Sequence, residues 1–267
     1  MVKIFFGPSG IGGVNNAVAT LERYKKDGLN AAEVEFTHGI YMKKNKDAIA
    51  IGQAAKKIGI VLSIHAPYYV NLNSMDPNVV KASKKRILDC CEKAHYLGAK
   101  FVVFHAAYYT GSKPEECYDE VKRAIKEMHR VIKQKKWKVY LCPETTGSKT
   151  QFGSLDEVLK LQKETGCFFC VDFAHLLARP GDIDYNLNYD KVFLKLKKFP
   201  HLHCHFSGID FGDKGEKKHI LTPEKEIKKL LAAIKKNKVN SLTIINESPS
   251  PVHDSIKTLM IAKSMKI

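Results

Sequence analysis

GCFFCVDFAH, residues 166–175, is a run of aromatic, aliphatic and thiol side chains that stops at Asp172 and is followed three residues later by His175. An apolar run of this length bounded by glycine reads as a strand buried on both faces, the pattern of a parallel sheet. Asp172 then ends the strand. A carboxylate at the end of a buried strand is costly unless a cation or a set of donors compensates it. D-x-x-H therefore has two readings, a metal pair or a strand-end aspartate that caps the next helix.

Outward from this stretch, short apolar runs alternate with amphipathic segments of helical length. Strands are predicted at 2–6, 31–36, 60–65, 100–105, 138–144, 167–172, 201–206 and 241–247. Helices are predicted near 12–26, 44–58, 76–97, 114–135, 154–165, a looser stretch ending near 198, 223–236 and 253–264. Eight consecutive strand–helix units with right-handed crossovers favour a single (β/α)8 TIM barrel over an open doubly wound sheet. No linker or low-complexity segment interrupts the pattern, so one domain over 1–267 is the simplest division. The long irregular stretches 66–75, 106–113, 145–153, 176–189 and 207–222 all follow strands, on the face where barrels build their sites.

Composition narrows the function class. The 267 residues are 44% hydrophobic, enough to bury a full core. Lys+Arg 44 against Asp+Glu 28 gives a net charge of +16, which suits a polyanionic partner, although much of the lysine lies on helical faces that solvent would cover. The seven cysteines fall mostly in apolar contexts and read as buried thiols of a reducing compartment. Cys167 and Cys170 form C-x-x-C within a strand, where the side chains point to opposite faces, which excludes a redox or zinc-ribbon reading. Neither a signal peptide nor a membrane span is expected.

The strand ends carry the chemistry. Glu35, His65, His105, Glu144, Asp172 with His175, His203 with His205, and Glu247 close successive strands from the second to the eighth. Imidazoles and carboxylates gathered at one mouth of a barrel call for cations. Their mixture points to zinc, with manganese compatible, rather than to magnesium or calcium. His95, His129, His201 and His253 lack this placement and read as surface or packing residues, whereas His38 lies in a loop that could face the mouth.

The segment HAPYYVNL from His65, the run LGAKFVVFHAAYYTG around His105, PETTGSKTQFGS around Glu144 and CVDFAH at 170–175 together resemble the endonuclease IV family of zinc-dependent apurinic/apyrimidinic endonucleases, within the xylose-isomerase-like group of barrels. The resemblance spans essentially the whole chain. It implies two to three Zn2+ per chain: His65, His105 and Glu144 at a first site, then Glu144, Asp172, Glu247 and a seventh-strand histidine at a second, and His175 at a third. The family completes the third site with D-x-H, where this chain has Glu216 and His219 in an E-x-x-H. Motif register favours His203 as the seventh-strand ligand, but residues two apart in a strand face the same way, so His205 stays a candidate.

The implied reaction is hydrolysis of the DNA phosphodiester 5′ to an abasic site in double-stranded DNA, with Glu144 and Glu247 as the catalytic carboxylates. Cations beside the phosphate make water nucleophilic at neutral pH and offset charge growing in the transition state. Tyr68 and Tyr69 correspond to the position where the family inserts side chains into the duplex gap, and His38, Lys149, Arg179 and Lys214 are candidates for phosphate contacts. A monomer in the cytoplasm, near nucleoid or nuclear DNA, is the expected state. The competing reading is a sugar isomerase or epimerase with one metal on Glu144, Asp172, His203 and Glu247, which leaves His65, His105, His175 and His219 without a task. A catalytically silent nucleic-acid-binding barrel is a third reading.

Overall fold

A computed structural model describes residues 2–267. In chain order the elements are β1 (Lys3–Pro8), α1 (Ala17–Lys26), β2 (Ala31–Glu35), α2 (Asn45–Ile58), β3 (Val61–His65), α3 (Pro77–Leu97), β4 (Phe101–Phe104), β5 (Ala107–Tyr108), α4 (Pro114–Lys135) and β6 (Tyr140–Pro143). They continue with β7 (Gln151–Phe152), α5 (Leu155–Thr165), β8 (Cys170–Asp172), α6 (Phe173–Ala178), α7 (Tyr189–Leu196), β9 (Leu202–Phe206), β10 (Gly208–Gly212), β11 (Gly215–Ile220), α8 (Glu224–Lys236), β12 (Ser241–Asn246) and α9 (Pro251–Ser264).

Two parallel four-stranded sheets, β2-β3-β4-β6 and β1-β12-β9-β8, form the barrel wall. Parallel bridges close it, Ser9 with Glu33 at one seam and Glu144 with Cys170 at the other. At the first seam the Gly10 amide donates to the Glu33 carbonyl at 2.8 Å and the Asn30 amide to that of Phe6 at 3.1 Å. The Asn30 side chain accepts the Phe6 amide at 2.8 Å. At the second seam the Thr145 amide reaches Cys170 at 3.1 Å and the Phe168 amide reaches Leu141 at 2.8 Å. The eight expected strands are all present, and the fold is the TIM barrel expected.

The differences lie in the connections. The looser helical stretch resolves into α6 and α7, and the first helix starts at Ala17 rather than near residue 12. Stretches 106–113 and 145–153 are not wholly irregular, because β5 pairs antiparallel with β7 across them. Stretch 207–222 holds a hairpin of β10 and β11. Its short, polar strands lack the apolar alternation that would have announced them. All seven cysteines are free and buried. No helix among the described residues is long and apolar enough to cross a membrane.

Side chains that line the barrel follow the two-residue period of the strands. The layer nearest the mouth holds the strand-end acids and histidines. One step below it come Glu33, Ser63, Cys170 and His203, all buried, with Val103 and Cys142 on the opposite wall. Val103, Cys142 and Cys170 pack together over Phe101 and Phe168. The second layer is thus polar on one side and apolar on the other.

The first seam depends on Gly7, since a Cβ there would lie 1.9 Å from the Ala31 carbonyl oxygen, on backbone that cannot yield without separating β1 from β2. Gly7→Ala should lower stability by about 3 kcal/mol, read as a drop in urea midpoint. An unchanged midpoint would show that the seam tolerates separation.

Candidate metal centre at the barrel mouth

Glu144 sits at the middle of the mouth with no exposed surface. Its Oε2 lies 3.3 Å from His65 Nε2 and 3.2 Å from His105 Nε2. Its Oε1 lies 2.9 Å from His205 Nδ1, which is itself 3.3 Å from Glu247 Oε2. Among the described residues, five sets of donor atoms fall within 4.8 Å of one another, three of them being His65, His105 and Glu144; Glu144, Asp172, His205 and Glu247; and Asp172, His175 and His219.

Glu216 completes the third set, at 3.1 Å from His175 Nε2 and 3.4 Å from His219 Nε2. Residues three apart on a regular strand face opposite ways, so E-x-x-H should not converge. A β-bulge resolves this. Phe211 pairs with Glu216 and Asp210 with Lys218, which leaves Lys217 as the extra residue and returns Glu216 and His219 to one face. The bulge gives E-x-x-H the geometry of D-x-H. The hairpin is brought in by the Glu216 amide, which donates to the Gly147 carbonyl at 3.0 Å. A Cβ on Gly147 would meet Glu216 at 2.7 Å and His175 at 3.0 Å, so only glycine fits there.

The donor set fits divalent cations. A ligating histidine ordinarily commits one ring nitrogen to a hydrogen bond and offers the other to the ion. His65 Nδ1 meets the Ala66 carbonyl at 2.7 Å, His175 Nδ1 the Thr145 carbonyl at 2.9 Å, and His219 Nδ1 the Ser207 hydroxyl at 2.7 Å. All three leave Nε2 facing a carboxylate. Asp172 caps the next helix, its Oδ1 accepting the His175 amide at 2.8 Å, while its buried Oδ2 has no hydrogen-bond partner and stays available to a cation.

The electrostatics agree. Burial disfavours ionised Glu144, yet the imidazoles around it, His205 and His105 foremost, hold its carboxyl well below the usual range. Burial likewise opposes a charged His65, but its bond to Glu144 and the field of Glu35, Glu144 and Glu247 push it up to about 10. Burial, reinforced by Glu33 and Glu247 and opposed by His65, raises Glu35 to about 8. A field that draws protons onto imidazoles in this way also attracts cations.

The remaining candidates divide. His203, favoured by motif register, does not join Glu144. It lies one layer deeper, with Nε2 3.1 Å from Glu33 Oε2, and His205 takes the mouth position. Tyr68 and Tyr69 are about half exposed at the rim, with Tyr68 against the rings of His65 and His105 at 5.2 and 6.0 Å. The Arg86 guanidinium lies 4.7 Å over the Tyr69 ring. His38 and Lys149 are exposed in loops that follow mouth-facing strand ends, and Lys214 at the turn of the β10–β11 hairpin.

Arg179 is a correction. Its guanidinium turns inward and donates to the carbonyls of Thr146, Ser148 and Gln151 at 3.2, 2.7 and 2.8 Å, and to the Thr146 and Tyr109 hydroxyls. These bonds commit both terminal nitrogens to the loop between β6 and β7, turning the guanidinium away from any phosphate at the surface. Glu33 and Ser63 were missed altogether, although both lie two residues before strand-end residues already singled out. Glu35, noted at its strand end but left out of the ligand sets, lies with Glu33 and Glu247. A hollow of about 1090 Å3 at the other end of the barrel is lined by Phe5, Phe101, Phe168, Tyr140, Lys3 and Lys100 among others, with no carboxylate. Donor chemistry rather than volume therefore marks the mouth.

A family model described as xylose isomerase-like TIM barrel matches residues 21–263. The chain belongs to that family. An uncharacterized protein of Methanocaldococcus jannaschii is 33% identical over 96% of this chain and 95% of its own. A probable endonuclease 4 of Thermoplasma acidophilum is 29% identical over 56% of each chain. Among solved structures, endonuclease IV from Thermus thermophilus superposes with a TM-score of 0.68 at 20% identity, covering 98% of both chains. D-psicose 3-epimerase from Clostridium cellulolyticum reaches the same TM-score at 14% identity, covering 98% of this chain and 99% of its own. At these identities the structural likenesses establish the fold alone. The family's endonuclease 4 members are among this chain's relatives, as the sequence motifs suggested.

Removing the Arg179 clamp should free the β6–β7 loop. Arg179→Ala is expected to cost about 3 kcal/mol and to speed proteolysis within 146–153, and Arg179→Lys should not rescue it because an ammonium cannot span the same acceptors. Wild-type cleavage rates in both variants would return Arg179 to the phosphate-binding candidates.

Proposed function

We propose that the chain is a metal-dependent endonuclease that hydrolyses the DNA phosphodiester 5′ to abasic sites, with two to three zinc-type cations at the barrel mouth. The observation that carries this reading is the surplus of ligands. A one-metal epimerase needs only a set such as Glu144, Asp172, His205 and Glu247. Here His65 and His105 add a second group on the other oxygen of Glu144, and His175, Glu216 and His219 add a third.

His65, His105 and Glu144 would hold one cation, Glu144, Asp172, His205 and Glu247 a second, and Asp172, His175, Glu216 and His219 a third. Bound cations supply Lewis acidity, which makes water nucleophilic and offsets charge growing on phosphate oxygens. The chain's own residues do the rest. Glu144 and Glu247 orient the reacting groups from below. Tyr68 and Tyr69, on the rim above His65 and His105, are placed to enter the gap in a duplex that lacks a base, where unstacking costs least. Lys149 and Lys214 stand where phosphates on either side would pass, and the net charge of +16 favours that polyanion over a neutral sugar.

A duplex oligonucleotide with one tetrahydrofuran abasic analogue should be cut on the 5′ side to leave a 3′-hydroxyl, and chelation should abolish the cut. Glu144→Gln and His175→Ala should each lower the rate at least about a hundredfold. A one-metal epimerase would tolerate His175→Ala. No incision with zinc, manganese or magnesium, together with epimerisation of a ketose, would overturn the reading.

A further inference from the structure

Unlike His65, His175 and His219, His205 turns neither ring nitrogen to a carbonyl or a hydroxyl. Both of its ring nitrogens face carboxylates, Nδ1 toward Glu144 at 2.9 Å and Nε2 toward Glu33 Oε1 at 2.9 Å. Glu33 is itself fully buried in the layer below, where one oxygen still lies within 4.8 Å of the mouth carboxylates Glu35 and Glu247. Its Oε2 is already engaged, accepting the Ser63 hydroxyl at 2.6 Å and facing His203 Nε2 at 3.1 Å. Neither Glu33 Oε1 nor His205 Nε2 has a hydrogen-bond partner as the rings now stand, their mutual approach being close but out of hydrogen-bond alignment. The two unsatisfied atoms therefore face each other.

We propose that Glu33 is a positioning residue that fixes His205 for its cation, acting from beneath the site without touching the ion. This rests on the reading of His205 as a ligand. A neutral imidazole carries one proton. With that proton on Nε2, donated to Glu33 Oε1, the Nδ1 lone pair points at the space between Glu144 and Glu247. The opposite tautomer would leave a lone pair against a buried carboxylate and block the ligating nitrogen. The negative charge on Glu33 also raises the basicity of Nδ1. Ser63 and His203 in turn hold the carboxylate in place, which gives the seventh-strand pair distinct tasks: His205 holds the ion and His203 orients the group behind it. Cys170 lies near both rings and could join them as a donor. In this arrangement it stays a packing thiol against Val103 and Cys142.

Zinc affinity of the purified chain, measured by competition with a chromophoric chelator, tests this together with the rise in melting temperature on adding zinc. Glu33→Gln keeps the shape and removes the charge. It should weaken the tightest zinc by tenfold or more and shrink the zinc-dependent rise, with the metal-free melting temperature changed far less. Ser63→Ala, which deletes one hydroxyl, should weaken zinc by a smaller factor in the same direction and serves if Glu33→Gln does not fold. In zinc-loaded wild type, nitrogen NMR should find His205 protonated on Nε2. Wild-type affinity in both variants, or a proton on Nδ1, would overturn the role of Glu33 while leaving the mouth site standing. Loss of one ion per chain in Cys170→Ala would overturn it in favour of a deeper site on Cys170, His203 and His205. Failure of the wild type to bind zinc would overturn both this role and the reading beneath it.

Discussion

Glu144 is a carboxylate with no access to water, and the mouth of the barrel is arranged around making that tolerable. One oxygen meets His65 and His105, the other His205, with His175 Nδ1 a further 3.5 Å away. A buried charge is kept only where opposite charge and hydrogen bonds surround it. Three strands and one short helix must therefore be set at the right height to supply those partners. The seam between β6 and β8 closes at Glu144 itself, through its bridge to Cys170. Barrel closure and the construction of the centre are in this sense one event.

Below Glu144 the interior is graded rather than uniformly apolar. The mouth layer carries acids and imidazoles, and the next layer splits between Glu33, Ser63 and His203 on one wall and Val103 and Cys142 on the other. The aromatic residues Phe101 and Phe168 sit beneath, stacked at 4.6 Å. The polar wall gives the mouth an outer shell and the apolar wall gives it rigidity, and both help to keep ligand side chains from relaxing away from one another.

Much of this was legible in the sequence. Eight apolar runs separated by helical segments gave the barrel, because buried parallel strands and amphipathic helices have different periods. The strand-end rule found His65, His105, Glu144, Asp172 and Glu247, since a parallel barrel delivers the last residue of each strand to one face. The same period, stepped back by two, would have reached Glu33 and Ser63. What could not be read depended on tertiary pairing. His203 and His205 share a face, and only the height of β9 against β8 and β12 decides which one reaches the mouth. The bulge at Lys217 has no signature in GEKKHIL, yet it decides whether Glu216 and His219 converge. Arg179 looks like any loop cation until the carbonyls it binds are folded around it.

Within the xylose isomerase-like family, this chain gathers adjoining donor sets at the mouth, and we propose that they hold ions with His205, not His203, as the seventh-strand ligand. The most direct measurement is anomalous diffraction at the zinc edge from crystals grown with zinc. The account predicts at least two peaks around Glu144, one of them within bonding distance of His205 Nδ1. A map with no peak at Glu144, or with its strongest peak on His203 and Cys170, would contradict it.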